Sequence, residues 1–192
     1  MDDLILNILS ESLSVKEHAV RDNLENIKTS VQHLVGCIAD GRKVLIFGNG
    51  GSAADAQHIA AEFVNRFMIE RPPLAAIALT TDSSILTSIG NDYDFDDIFS
   101  KQIQALGKKG DIAWGISTSG NSPNVLKGLQ TARERNLYTI GLGGRGGKMV
   151  SLVDIALTVP SDTTARIQES HLTMAHIMCE LVERTLYPQH FK

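Results

Sequence analysis

Twice in this chain a short apolar run ends in a turn of small glycine and serine residues that leads into a helical pattern. The first turn, Gly48-Asn49-Gly50-Gly51-Ser52, follows Val44-Leu45-Ile46-Phe47. The second, Ser117-Thr118-Ser119-Gly120-Asn121-Ser122, follows Ile112-Ala113-Trp114-Gly115-Ile116. Strands that hand over to helices return as parallel neighbours through right-handed crossovers, in a sheet covered on both faces. Further strand-like runs at 74–79, 137–142 and 155–159 join those at 43–47 and 111–117. Helical patterns at 52–68, 82–89, 95–106, 123–135, 147–153 and 163–186 alternate with them. The expected fold is α/β, a doubly wound five-stranded parallel sheet. Both turns then lie at one sheet edge, in the crevice where open α/β sheets bind ligands. Unpaired N–H groups at helix starts suit an anion there, and a sugar phosphate is the expected ligand.

The chain does not begin with a strand. Leu4, Ile5, Ile8 and Leu9, then Val20, Leu24, Ile27, Val31, Leu34, Val35 and Ile38 carry helical periodicity up to about Asp40, and Gly41 reads as the stop. Residues 1–40 therefore form a helical arm whose apolar stripe is expected to pack against another copy.

Composition narrows the function classes. A 192-residue chain with 43% hydrophobic residues supports one α/β domain. A net charge of -4 speaks against sequence-independent nucleic-acid binding, so no direct nucleic-acid partner is expected. Met1-Asp2-Asp3 is acidic, and no apolar run approaches the ~20 residues of a membrane span. The expectation is a cytoplasmic protein without a membrane partner. Cys37 and Cys179 lack CxxC spacing and read as reduced core thiols.

Two glycine motifs carry less than they suggest. Gly48 to Ala53 matches GxGxxA, but the acid that a dinucleotide site places at the end of the second strand is missing; Asp82 lies too far along. Gly141 to Lys148 resembles a P-loop out of register, with Leu142 at a glycine position and Met149 where a hydroxyl would hold magnesium. It reads as a flexible turn.

The polar residues at the helix starts and faces carry more. Thr118, Ser119 and Ser122 offer more hydroxyls than one helix cap uses. His58 and Glu62 lie at i and i+4, on one helix face. An imidazole and a carboxylate one turn apart can share a solvated hydrogen bond or bind zinc. In the last helix, Arg166, Gln168, Glu169, His171 and His176 interrupt an apolar run, forming a second polar cluster. Asn91-Asp92 after Gly90 reads as a helix-stop turn.

Together, GNGGSAADAQH at 48–58, ALTTD at 78–82, GND at 90–92, ISTSGNSPNV at 116–125 and ARIQE at 165–169, followed by His176, resemble the sugar isomerase (SIS) fold family and, within it, the bacterial phosphoheptose isomerases. The resemblance covers nearly the whole chain. It implies one flavodoxin-like SIS domain over 1–192, with 1–40 as an oligomerisation arm and 41–192 as the sugar-phosphate core. It also implies conversion of sedoheptulose 7-phosphate to D-glycero-D-manno-heptose 7-phosphate through an enediol, toward lipopolysaccharide heptose, in a homotetramer.

By motif, Asn49, Gly50, Gly51, Ser52, Asn91 and Asp92 would line the sugar, while Ser117, Thr118, Ser119 and Ser122 hold the phosphate. His58, Glu62, Gln168 and His176 would bind one zinc ion per subunit, Glu62 and His176 acting also as the acid–base pair. Gln168 would touch the sugar as well. Gln168 and His176 differ by ~12 Å in height on a straight helix. Both reach one ion only if their side chains converge or one comes from a neighbouring subunit, and His171 is an alternative to Gln168. The chain also resembles a non-catalytic tetrameric relative that binds the bacterial replication initiator, in Asn65-Arg66-Phe67, Glu70-Arg71-Pro72 and Thr185-Leu186-Tyr187-Pro188. That relative lacks counterparts of Glu62 and His176.

Overall fold

A computed structural model describes residues 1–191. Helices α1 (Asp2–Asp22) and α2 (Leu24–Ala39) precede the first strand, and Gly41 follows with φ +68°. The order is then β1 (Val44–Gly48), α3 (Gly51–Val64), β2 (Ala76–Ala78), α4 (Ser83–Asp92), α5 (Ile98–Leu106), β3 (Ile112–Ser117), α6 (Pro123–Glu134), β4 (Tyr138–Gly143), α7 (Met149–Leu152), β5 (Ile155–Thr158) and α8 (Thr164–Leu186). The strands form one parallel sheet in the order β2-β1-β3-β4-β5.

Alternate residues of β1 feed two cores. Val44 and Ile46 join a layer with α2, α3 and α8, through Leu34, Ile59, Phe63 and Met174. Leu45 and Phe47 join the opposite layer with α5, α6 and α7, through Phe99, Leu129 and Met149. All five β1 residues are buried, which is why its sequence is an unbroken apolar run.

The helical arm is fastened to the free edge of β5. Asn23, between α1 and α2, donates from Nδ2 to the carbonyls of Ala19 at 2.7 Å and Thr158 at 2.8 Å. Its Oδ1 accepts from the Thr158 N–H at 3.1 Å, and Asn26 donates to the Ala156 carbonyl. Two side chains thus occupy backbone groups that an open edge strand would offer to another chain. Beyond this clasp α1 crosses α8, where Ser12 donates to Glu169 and Arg166 donates to the Ile8 carbonyl. Leu4, Ile5, Leu6, Ile8, Leu9 and Leu13 remain exposed.

Several boundaries differ from the sequence reading. The expected helix over 52–68 stops at Val64, because residues 65–71 are held by side chains from elsewhere. The helix after β2 continues through Asn91 and Asp92, so these residues end α4 and do not form a separate turn. The glycine loop over 144–148 is fastened to the second turn: Met149 N–H donates to Gly120 O and Lys148 N–H to Asn121 Oδ1, both at 3.0 Å. A reading of that loop as merely flexible misses this anchorage.

Asn23→Ala should lower unfolding stability by about 2 kcal/mol, because the buried backbone groups of Thr158 lose their partner. Urea denaturation checks this, and an unchanged midpoint would contradict the clasp.

Candidate active site

The strand order reverses between β1 and β3. After β1 the chain enters α3 on one face, and after β3 it enters α6 on the other. The two glycine- and serine-rich turns therefore stand side by side at the carboxyl edge of the sheet. A reciprocal amide pair joins them: Asn49 Nδ2 donates to Asn124 Oδ1 at 2.8 Å, and Asn124 Nδ2 donates to Asn49 Oδ1 at 2.9 Å. Asn124 is buried and its Oδ1 also accepts from the Val125 N–H. The sequence reading missed Asn124. One polar residue in a helix start carries no local sign of a partner 75 positions away.

The first turn depends on close packing. Gly50 has φ +55° as the residue preceding α3. A Cβ on Gly48 would come within 2.8 Å of both the Ile116 carbonyl and Ser52 Cβ. No side chain caps the start of α3, so this helix end can serve a ligand. Thr80 ties the segment after β2 to this helix through the Ala53 carbonyl, while Asp82 caps α4.

In the second turn the hydroxyls bond one another, and the Ser122 side chain does not cap α6. Ser117 Oγ lies 2.9 Å from Ser122 Oγ and 3.4 Å from Ser119 Oγ. A cavity of about 360 Å³ opens beside Thr118 and Ser119, bounded by Arg145, Ser161 and Thr164. A smaller one, of about 160 Å³, lies against Gly48, Asn49, Gly50 and Thr80. A wider cavity of about 610 Å³ sits at the opposite sheet edge against Gln32, His33 and Tyr138, and no candidate site residue lines it.

His58 and Glu62 on α3 meet His176 on α8. The Nε2 atoms of His58 and His176 are 2.8 Å apart, and Glu62 Oε1 is 3.2 Å from His58 Nε2. One ligand atom from each of the three lies within 4.8 Å of the others. Burial, then the neighbouring His58, holds His176 below the usual imidazole range, with Glu62 acting in the opposite sense. Burial also raises Asp55 above the ordinary carboxylate range, one turn before His58. Two imidazole nitrogens and a carboxylate gathered this closely are suitable donors for a divalent cation, and fit zinc.

The other expected residues have different surroundings. Gln168 lies against the start of α3, its amide occupying the space that a Cβ on Gly51 would need. Within one chain it thus borders the first turn, about 12 Å along α8 from His176. Asn91 and Asp92 are exposed and hydrogen-bond to each other at 2.8 Å. His171, the alternative to Gln168, is buried and bonds through Nε2 to the Gly143 carbonyl at 3.0 Å, facing β4. Cys37 and Cys179 are buried free thiols.

Comparison with known proteins agrees with this fold. The family model described as SIS domain matches residues 9–144. A phosphoheptose isomerase of Solidesulfovibrio magneticus is 54% identical over 184 residues, 96% of this chain and 90% of its own length. The chain belongs to the phosphoheptose isomerase family of SIS domains. Two solved family structures have the same fold. The phosphoheptose isomerase of Neisseria gonorrhoeae has a TM-score of 0.89 and 45% identity, covering 95% of this chain and 98% of that one. That of Francisella tularensis has a TM-score of 0.90 and 39% identity, covering 95% and 97%.

His171 provides a pH test of the assignment. Burial pushes its pKa down to about 4, so the folded protein holds it neutral while the unfolded chain protonates it near 6.5. The unfolded state binds more protons between these values, so stability is lost as pH falls from about 6.5 toward 4. The loss attributable to this group is about 3 kcal/mol. Urea titrations across that range should show this slope, reduced in His171→Leu; an equal slope in both would contradict it.

Proposed function

We propose that this protein is an aldose–ketose isomerase that converts sedoheptulose 7-phosphate to D-glycero-D-manno-heptose 7-phosphate. The observation that carries the reading is the convergence of His58, Glu62 and His176 on α3 and α8, α3 being the helix that begins at the first glycine turn. It occurs in a chain 54% identical to a protein named phosphoheptose isomerase. The phosphate is held by Ser117, Thr118, Ser119 and Ser122 at the start of α6, and the sugar lies along Asn49, Gly50, Gly51 and Ser52. Gln168 borders the same turn, and Asn91 and Asp92 approach the sugar from the end of α4.

The reaction moves one carbon-bound proton and relocates a carbonyl between C1 and C2. Glu62 takes the proton from one carbon and returns it to the other, while His176 exchanges protons with the two oxygens. An imidazole held below its usual pKa stays largely neutral near pH 7 and so can accept a proton from a hydroxyl. His58 orients Glu62 and keeps the two helices' groups facing each other. The group that fits the three ligands is zinc, one per subunit; when bound it supplies Lewis-acid stabilisation of the enediolate oxygens.

The exposed leucines and isoleucines of α1 support assembly into a homotetramer. No described helix is long and apolar enough to cross a membrane, which agrees with a cytoplasmic place in lipopolysaccharide heptose synthesis. No observation favours the scaffold alternative.

Glu62→Gln should lower kcat for sedoheptulose 7-phosphate by about 10²–10⁴-fold, with the secondary structure retained. Turnover by the purified protein and this variant tests the reading; an unaffected rate would overturn it. Ser119→Ala should instead raise KM about tenfold through one lost charge-assisted hydrogen bond.

A further inference from the structure

Residues 65–72 make no regular structure, yet they are held by the most deeply buried ion pair of the described residues. Arg71 and Glu183 are 2% and 1% exposed, and Arg71 Nε donates to Glu183 Oε1 at 2.9 Å. The rest of the guanidinium closes the end of α3. Its Nη2 donates to the Glu62 carbonyl at 2.7 Å, and its Nη1 donates to the Phe63 carbonyl at 2.7 Å. These are carbonyls that a helix end leaves without intrahelical partners. The carboxylate of Glu183 accepts in turn from the N–H groups of Phe67 at 2.9 Å, Met68 at 2.8 Å and Ile69 at 3.3 Å.

Both ends of this network touch residues of the converged site. Glu62 lends its carboxylate to the site and its carbonyl to Arg71. Glu183 stands seven residues after His176 on α8, two turns along the same face. Phe67, tied to Glu183 through its N–H, packs its ring on the His176 imidazole at 5.2 Å between centroids and 38° between planes. A planar donor fork on one helix end and a fully occupied carboxylate on the other helix fix their relative height as well as their separation. A looser contact would let α3 slide along α8, and His58 and Glu62 would then miss His176.

We infer that Arg71 and Glu183 are positioning residues, whose buried pair sets the register of α3 against α8 and thereby the geometry of the His58, Glu62 and His176 group. The inference rests on the convergence of these three side chains and not on the identity of the ion. Replacing a group that orients metal ligands typically weakens metal affinity about 10–100-fold.

The test uses the full chain, with Glu183→Gln, which keeps volume and one acceptor, and Arg71→Lys, which keeps charge but loses the fork. In metal-free protein labelled on histidine and tyrosine rings, ring-proton NOEs are measured between His58 and His176, whose centroids lie 5.0 Å apart. The stacked pair His33 and Tyr138, at 3.7 Å and away from the site, is the internal control. Cobalt(II) is then titrated into the same proteins as a spectroscopic probe. Both variants are expected to lose the His58–His176 NOE, keep the control and bind cobalt at least about tenfold more weakly. Retention of the His58–His176 NOE would overturn the inference. So would loss of both NOEs together, which would make the pair a support of the whole fold. A wild-type protein that fails to bind cobalt would count against the metal reading, while the NOEs would still decide the positioning role.

Discussion

The reversal of strand order between β1 and β3 is the constraint on which the rest depends. These strands are neighbours in the sheet, but the helices that follow them cover opposite faces. Their starts therefore diverge from a shared crevice, with the uncapped start of α3 on one side and the serine-rich turn on the other. Asn49 and Asn124 bridge it with two reciprocal amide bonds, each group both donating and accepting. The pair satisfies buried polar atoms and fixes the spacing of the turns at once. In the proposed reading, small residues suffice to select a phosphate ester there, because backbone N–H groups and serine hydroxyls can supply the contacts.

The second half of the site comes from the layer formed by α3 and α8. α3 begins at the first glycine turn and carries His58 and Glu62 down its length, toward His176 on α8. Two different contacts fix that pairing. At the top, Gln168 fills the space left by the missing side chain of Gly51. At the bottom, Arg71 and Glu183 clamp the helix end. Between them the three candidate ligands face one another across a distance that one cation can span. The three candidate ligands thus lie on regular elements packed against a parallel sheet, while the residues proposed to hold the phosphate lie on a loop.

Much of this was legible in the sequence wherever the signal is local. The five strands read correctly in type; the central three, β1, β3 and β4, do so because strands buried on both faces appear as nearly continuous apolar runs. His58 and Glu62 could be placed on one face from their spacing alone. What escaped the reading involves partners far along the chain. The apolar and polar spacing through Phe67 and Met68 continues that of α3, and nothing local shows that Glu183 will take their N–H groups. Asn-Asp after glycine suggested a stop before Asn91, yet α4 extends to Asp92, the Tyr93 N–H still bonding to the Ile89 carbonyl while Leu86 and Ile89 pack on the core. His171 and His176 look alike in sequence, five residues apart on one helix. Burial toward β4 keeps the first neutral and away from the site, whereas the second faces α3.

The central claim, that His58, Glu62 and His176 gather around one ion, is tested most directly by X-ray absorption at the zinc edge of protein loaded with one equivalent of zinc. The account predicts two imidazole nitrogens and a carboxylate oxygen at about 2.0–2.2 Å, with one imidazole lost in His58→Ala. A spectrum without imidazole scattering, or one unchanged in His58→Ala, would contradict it.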